Sequence, residues 1–169
     1  YSVFSLAAMI PWMYFSTALA GSSNSLVSNT NLITKVYFPR LVIPFAPVLA
    51  GLVDFVIGFV LLLVFMLAYG ITPGPWSLVV IPVLLVASML TAAGVGCWFA
   101  ALNIQYRDVK YVMTFVLQLW FFATNVMYPI QFERYPALHW LTYANPMIPI
   151  LDAYRDCWMG RGLHNPMGL

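Results

Sequence analysis

The chain has 169 residues, of which 63% are hydrophobic and 7% charged, with a mean hydropathy of +0.88. A soluble domain carries about 25% charged residues, so this composition belongs in lipid. The formal charge of +2 is too small to argue for nucleic acid. Cys97 and Cys157 have no CxxC or histidine spacing around them, so they imply neither a disulfide framework nor a zinc site.

The few charges are clustered. Residues 1–20, 76–102 and 111–130 contain none, and residues 41–69 contain Asp54 alone. About 20 apolar residues cross a bilayer core, so each run predicts one spanning helix. The first residue is Tyr1 and the first run starts at full hydrophobicity, which predicts further residues upstream. No stretch has the basic flank, short apolar region and cleavage site of a signal peptide.

In chain order, run one meets Gly21, Ser22, Ser23, Asn24 and Ser25, a breaker cluster that predicts a turn. Residues 29–40 follow, with Lys35 and Arg40 among Leu32, Ile33, Val36 and Phe38. Asn and Thr side chains there can cap a short helix, and Pro39 ends it by driving Phe38 out of the helical region. The reading is a helix of about two turns along the membrane surface, suited to docking a partner.

Run two carries Pro44 and Pro47 near its start, where a kink is expected. Residues 70–75 make an uncharged connection. Run three ends at Leu102, and the next connection holds Arg107, Asp108 and Lys110; run four stops at Tyr128 and Pro129. Lys35, Arg40, Arg107 and Lys110 lie in two connections separated by two crossings, hence on one side. The positive-inside tendency makes that side cytoplasmic, and everything after Pro129 faces outward.

The tail differs in kind. Residues 136–144 and 146–159 read as two helices too short to span at about 1.5 Å per residue. Pro136 and Pro146 stand at first helical positions, Asn145 can cap the second helix, and Gly160 can close it. The pair fits a re-entrant hairpin dipping into the outer leaflet, which requires protein or water around it. The other reading is an amphipathic pair on the outer surface.

Asp54 is the ionisable group within an apolar run, and it is expected to face protein. It reads either as a polar pathway residue or as an aspartate bonded to a neighbouring helix, and the second is favoured because no second acid lies at that depth. Gly51 and Gly58 on α-helical spacing, and Ala92, Gly96 and Ala100 in run three, permit close helix approach. Asp152, Arg155 and Asp156 share a face at i, i+3 and i+4, either lining an exit or forming a solvated, self-paired face. Trp120, Phe121, Phe122, Tyr128, Tyr135 and Trp140 are dense toward the outer side. They read as an interfacial belt, or as rings lining a conduit along which sugars slide. His139 and His164 have no matching ligands, so no metal site is expected.

The chain has no GxxxxGK[ST] loop, GxSxG elbow or HExxH pair. If transport here consumes ATP, another chain supplies it. The segment Asn31-Leu-Ile-Thr-Lys-Val-Tyr-Phe-Pro-Arg40, the segment Leu102-Asn-Ile-Gln-Tyr-Arg-Asp-Val109, Gln118-Leu-Trp120 with Tyr128-Pro129, and Asn145-Pro-Met147 with Tyr154-Arg155 together resemble the permease subunit of bacterial polysaccharide exporters. These are ABC-2 type transporters for O-antigen, capsule or teichoic acid.

The resemblance implies an all-α integral membrane fold, with residues 1–169 as one transmembrane domain. It would supply four spans and the outward re-entrant pair (131–160) of a six-helix permease, the N-terminal helix, first span and last span lying elsewhere. It implies a cytoplasmic coupling segment at 21–40, with Asn31, Lys35, Tyr37, Arg40, Arg107 and Asp108 facing an ATP-binding subunit that holds ATP and Mg; no cofactor belongs to this chain. It also implies a second permease copy, a lipid-linked glycan path along the aromatic residues, Asp152 and Arg155 near the exit, and the bacterial inner membrane. Rival readings are an ABC-2 permease for a small lipid or drug, a membrane enzyme using Asp54 or Asp152 with His139, and a passive channel. Paired carboxylates at membrane level, which the enzyme needs, are missing from the sequence.

Overall fold

The computed structural model describes residues 2–30, 42–70, 77–106, 108–124, 126 and 145–158. Every element among them is helical: α1 (Ser2–Ser28), α2 (Val42–Ala68), α3 (Ser77–Gln105), α4 (Val109–Ala123) and α5 (Met147–Trp158). α1 is the hub, packed along α2 and α3, with α5 against α3 and α1 and α4 on α1.

α2 is apolar all round except Asp54, yet its buried residues other than Ile43 form one stripe: Pro44, Val48, Gly51, Phe55, Leu62 and Met66. That spacing is the 3.6-residue repeat of a single helix face. Val53, Val56, Ile57, Val60, Leu61 and Val64 stay exposed on the rest. A helix apolar on every side but covered on only one is stable where its solvent is hydrocarbon. α2 and α3 are both long and apolar enough to cross a membrane.

Small residues set the seams. A Cβ on Gly51 would lie 3.2 Å from the Tyr14 ring, and one on Gly58 would lie 3.1 Å from Ile10. Both glycines therefore let α1 close on α2, and the Tyr14 hydroxyl donates to the Val48 carbonyl across the same seam at 3.1 Å. On the other side Ala92 and Ala100 are fully buried, and a Cβ on Gly96 would meet Ser22. Close backbone approach of this kind is how helices gain packing contacts in lipid.

Two expected boundaries move. α1 runs through Gly21, Ser22, Ser23, Asn24 and Ser25 without a turn, to Ser28. The Ser25 hydroxyl donates to the Ser22 carbonyl at 2.6 Å, the Ser28 hydroxyl to Asn24 at 3.0 Å, and the Asn24 amide to Ala20 at 3.2 Å. Ser22, Ser23 and Ser25 are buried; the Ser25 hydroxyl turns back on the helix itself, while those of Ser22 and Ser23 make no hydrogen bond among the described residues. α4 spans 15 residues and ends at Ala123, before the Tyr128 and Pro129 stop expected from the apolar run. Tertiary hydrogen bonds described below take up its last turn.

Gly21 and Gly94 give a paired test. A Cβ on Gly21 would lie 2.8 Å from the rigid Pro47 ring, whereas one on Gly94 meets nothing within 4 Å. Gly21→Ala should destabilise the detergent-solubilised full-length protein by about 1–3 kcal/mol. Gly94→Ala should leave the thermal midpoint unchanged or raise it; equal losses from both would contradict the packing described.

Candidate functional site

α4 and α5 meet in a polar knot built on Asn145, which is 6% exposed. Its Oδ1 accepts from the Trp120 indole Nε1 at 2.9 Å and from the Met147 backbone N–H at 3.0 Å. Its Nδ2 donates to Thr124 Oγ1 at 2.8 Å, and that hydroxyl donates to the Trp120 carbonyl at 2.6 Å. One amide thus caps the start of α5, as expected, and also fastens it to the last turn of α4.

Arg155 completes the knot. It is 3% exposed, donates through Nη2 to the Val126 carbonyl at 2.6 Å, and pairs through Nη1 with Asp152 at 3.3 Å. A buried guanidinium is tolerable when its donors find acceptors. The solvated, self-paired face is therefore not what forms: Asp152 and Arg155 do pair, but Arg155 is enclosed and also holds the chain just beyond α4. Nine of the twelve residues of α5 are buried, so this helix does not lie on a surface.

The knot sits deep. Trp120 packs edge-on against Phe15, at a centroid distance of 5.4 Å, and Tyr154 lies 6.2 Å from Phe55. Phe15 is the midpoint of the 27-residue α1 and Phe55 the midpoint of the 27-residue α2. α5 thus meets α2 at half its length, and α4, through the Trp120 that Asn145 holds, meets α1 at half its length. Farther along, Trp158 meets Phe59 at 5.2 Å.

The expected aromatic path divides. Trp120 turns inward to Phe15 and Asn145, and Phe121 packs on Trp12 at 5.6 Å, whereas Phe122 is 65% exposed. Phe122 instead continues an outward stripe with Tyr111, Phe115 and Leu119, spaced i, i+4, i+8 and i+11. Asp54 does not face protein among the described residues; it is exposed on α2, one row off the glycine seam that contacts α1. Asp108 is exposed at the start of α4, without a side-chain capping bond. Asn31, Lys35, Tyr37, Arg40, Arg107, Tyr128, Tyr135 and Trp140 lie outside the described residues.

A second polar contact joins the C-terminal ends of α1 and α3. Asn103, 3% exposed, donates to the Ser23 carbonyl and to Asn24 Oδ1, each at 3.1 Å. Neither Asn103 nor the hub role of Asn145 was visible from spacing. The available signal was the rarity of carboxamides inside apolar sequence, where each one needs partners.

Removing the Asn145 carboxamide orphans the Trp120 indole and the first turn of α5. Asn145→Leu should cost about 3 kcal/mol in a denaturation titration of the full-length protein. Asn145→Asp, which keeps the acceptor and loses the donor, should fall between leucine and wild type. A leucine variant as stable as wild type would contradict the knot.

The family model for the ABC-2 type transporter matches residues 2–158. Among curated proteins, the chain is 33% identical over 153 residues to the O-antigen export system permease protein RfbA of Myxococcus xanthus, covering 90% of this chain and 58% of that protein. Two Klebsiella pneumoniae proteins of the same name are 28% and 26% identical over 97% and 94% of the chain. The chain spans 63% and 61% of their lengths, so it corresponds to about three-fifths of each relative. With a helical framework of small-residue seams and apolar outer faces, and a family match over nearly its whole length, the chain belongs to the ABC-2 type transporter family.

Proposed function

We propose that the chain is the transmembrane core of an ATP-driven exporter that moves a lipid-linked polysaccharide across the bacterial cytoplasmic membrane. What carries the reading is 33% identity, over 90% of the chain, to a protein named as an O-antigen export permease. The absence of a phosphate-cradling loop from the sequence fits a division of labour in which a separate ATP-binding subunit supplies the energy.

The geometry supports a matching topology. α1, α2 and α3, with 27, 27 and 29 residues, each exceed the roughly 30 Å of a hydrocarbon core at about 1.5 Å per residue. The fourth run would complete a four-span unit, although α4 with 15 residues covers only about 22 Å of the crossing as a helix. A re-entrant outer pair over residues 131–160 fits the depth of α5, whose Tyr154 reaches Phe55 at the midpoint of α2 while the helix packs on α3 and α1. The buried Arg155 and Asn145 then satisfy polar groups in a region without bulk water.

The stripe of Tyr111, Phe115, Leu119 and Phe122 on α4 supports a second copy facing this one, with the polymer passing between. Aromatic faces offer a long glycan many weak contacts. On the opposite side, Asn31, Lys35, Tyr37 and Arg40, with Arg107 and Asp108, would dock the ATP-binding subunit. Closure of two such subunits on ATP would move the docking segments and open the path.

The test replaces residues 31–40 of the full-length protein with a Gly/Ser linker of equal length. Export of surface polysaccharide should be abolished and the ATP-binding subunit should no longer co-purify. Undiminished export with that subunit still bound would remove the coupling assignment.

A further inference from the structure

Two connections are assigned to the energy-supplying face: residues 31–40, which follow α1, and the Arg107 region, which follows α3. They are far apart in sequence, yet Asn103 joins the helices that lead into them. Its amide reaches α1 at two points, the Ser23 carbonyl and Asn24 Oδ1, each at 3.1 Å. Ser23 and Asn103 are both buried, and the Gly96–Ser22 approach closes the same seam. Beyond Asn103, α3 turns into α4 within three residues, through Tyr106 N–H to the Leu102 carbonyl and Val109 N–H to the Tyr106 carbonyl.

We propose that Asn103 is a positioning residue that makes the ends of α1 and α3 move as one body, so that displacement of the docking segment is delivered to α4. This rests on the export reading and deepens it. In hydrocarbon no hydrophobic force holds apolar helix surfaces together, so a carboxamide with two directed bonds adds to the Gly96–Ser22 fit in holding their register. The stiffened pair leads through a short turn into α4, whose far end is fastened by Asn145. Displacement of the docking segment thereby reaches the outward stripe and the α5 knot through hydrogen-bonded elements, the physical continuity that coupling between distant sites calls for.

The experiment places the full-length protein and its ATP-binding subunit in vesicles and measures export of a labelled lipid-linked O-antigen-type glycan together with ATP hydrolysis. Asn103→Leu and Asn24→Leu should lower glycan exported per ATP by about three- to tenfold, the factor expected for one lost buried hydrogen-bonded contact. ATP hydrolysis and co-purification of the two subunits should stay within about twofold of wild type. Asn24→Asp, which keeps an oxygen facing Asn103, should restore the ratio. An unchanged ratio in the leucine variants overturns the proposal. So does a parallel fall in export, hydrolysis and co-purification, which would assign Asn103 to folding alone. Failure of the wild-type pair to associate would instead overturn the export reading on which the proposal rests.

Discussion

A carboxamide at half-depth governs how this chain closes on itself. Asn145 satisfies an indole, a hydroxyl and a backbone N–H that water would otherwise have to reach, and it does so beside the midpoint of α1. Each of those groups would cost on the order of 1–3 kcal/mol if buried without a partner. The requirement fixes where α4 can stop and where α5 can start. Arg155 applies the same logic with a charge, holding the Val126 carbonyl so that the segment beyond α4 leaves the helix at a defined place.

The opposite end repeats the device in a milder form. Asn103 and Asn24 bind α1 to α3 where the chain carries its basic connections, and Ser25 and Ser28 bond back to their own helix. Between these polar contacts the seams are made of glycine, alanine and aromatic rings, while the outer faces of α2 and α4 are left apolar. A lipid solvent explains this division: apolar surface gains little by burial there, so close fit and satisfied polar groups decide which faces meet. The same division leaves α4 with an aromatic stripe turned away from its own helices.

Much of this was legible in the sequence because lipid imposes simple rules. Apolar runs located the long helices, Gly51, Gly58 and Gly96 marked the close seams, and Pro146 with Asn145 marked the start of α5 within a residue of Met147. What escaped depends on contacts between residues distant in the chain. Gly21 to Ser25 has turn composition, but α3 packs over it at Ser22 and Ser23, and Ser25 bonds back to its own helix. Trp120 and Phe122 look alike in a hydrophobic run, yet two residues apart on a helix they point to different faces. Arg155 reads as a surface charge until Val126 and Asp152 are brought to it, 29 and three residues away. Asp54 shows the limit of spacing alone, since proximity to two glycines in sequence placed it beside their seam and not within it.

The proposed role of this chain is to move a glycan with energy drawn from another subunit. The most direct measurement is transport by the purified full-length protein in sealed vesicles carrying a labelled lipid-linked polysaccharide, with the ATP-binding subunit and ATP each added or withheld. The account predicts that glycan crosses only when the subunit and ATP are both present, chemically unchanged and without selectivity for small lipids over the polymer. Glycan crossing without the subunit, or covalent alteration of the glycan by the chain alone, would contradict it.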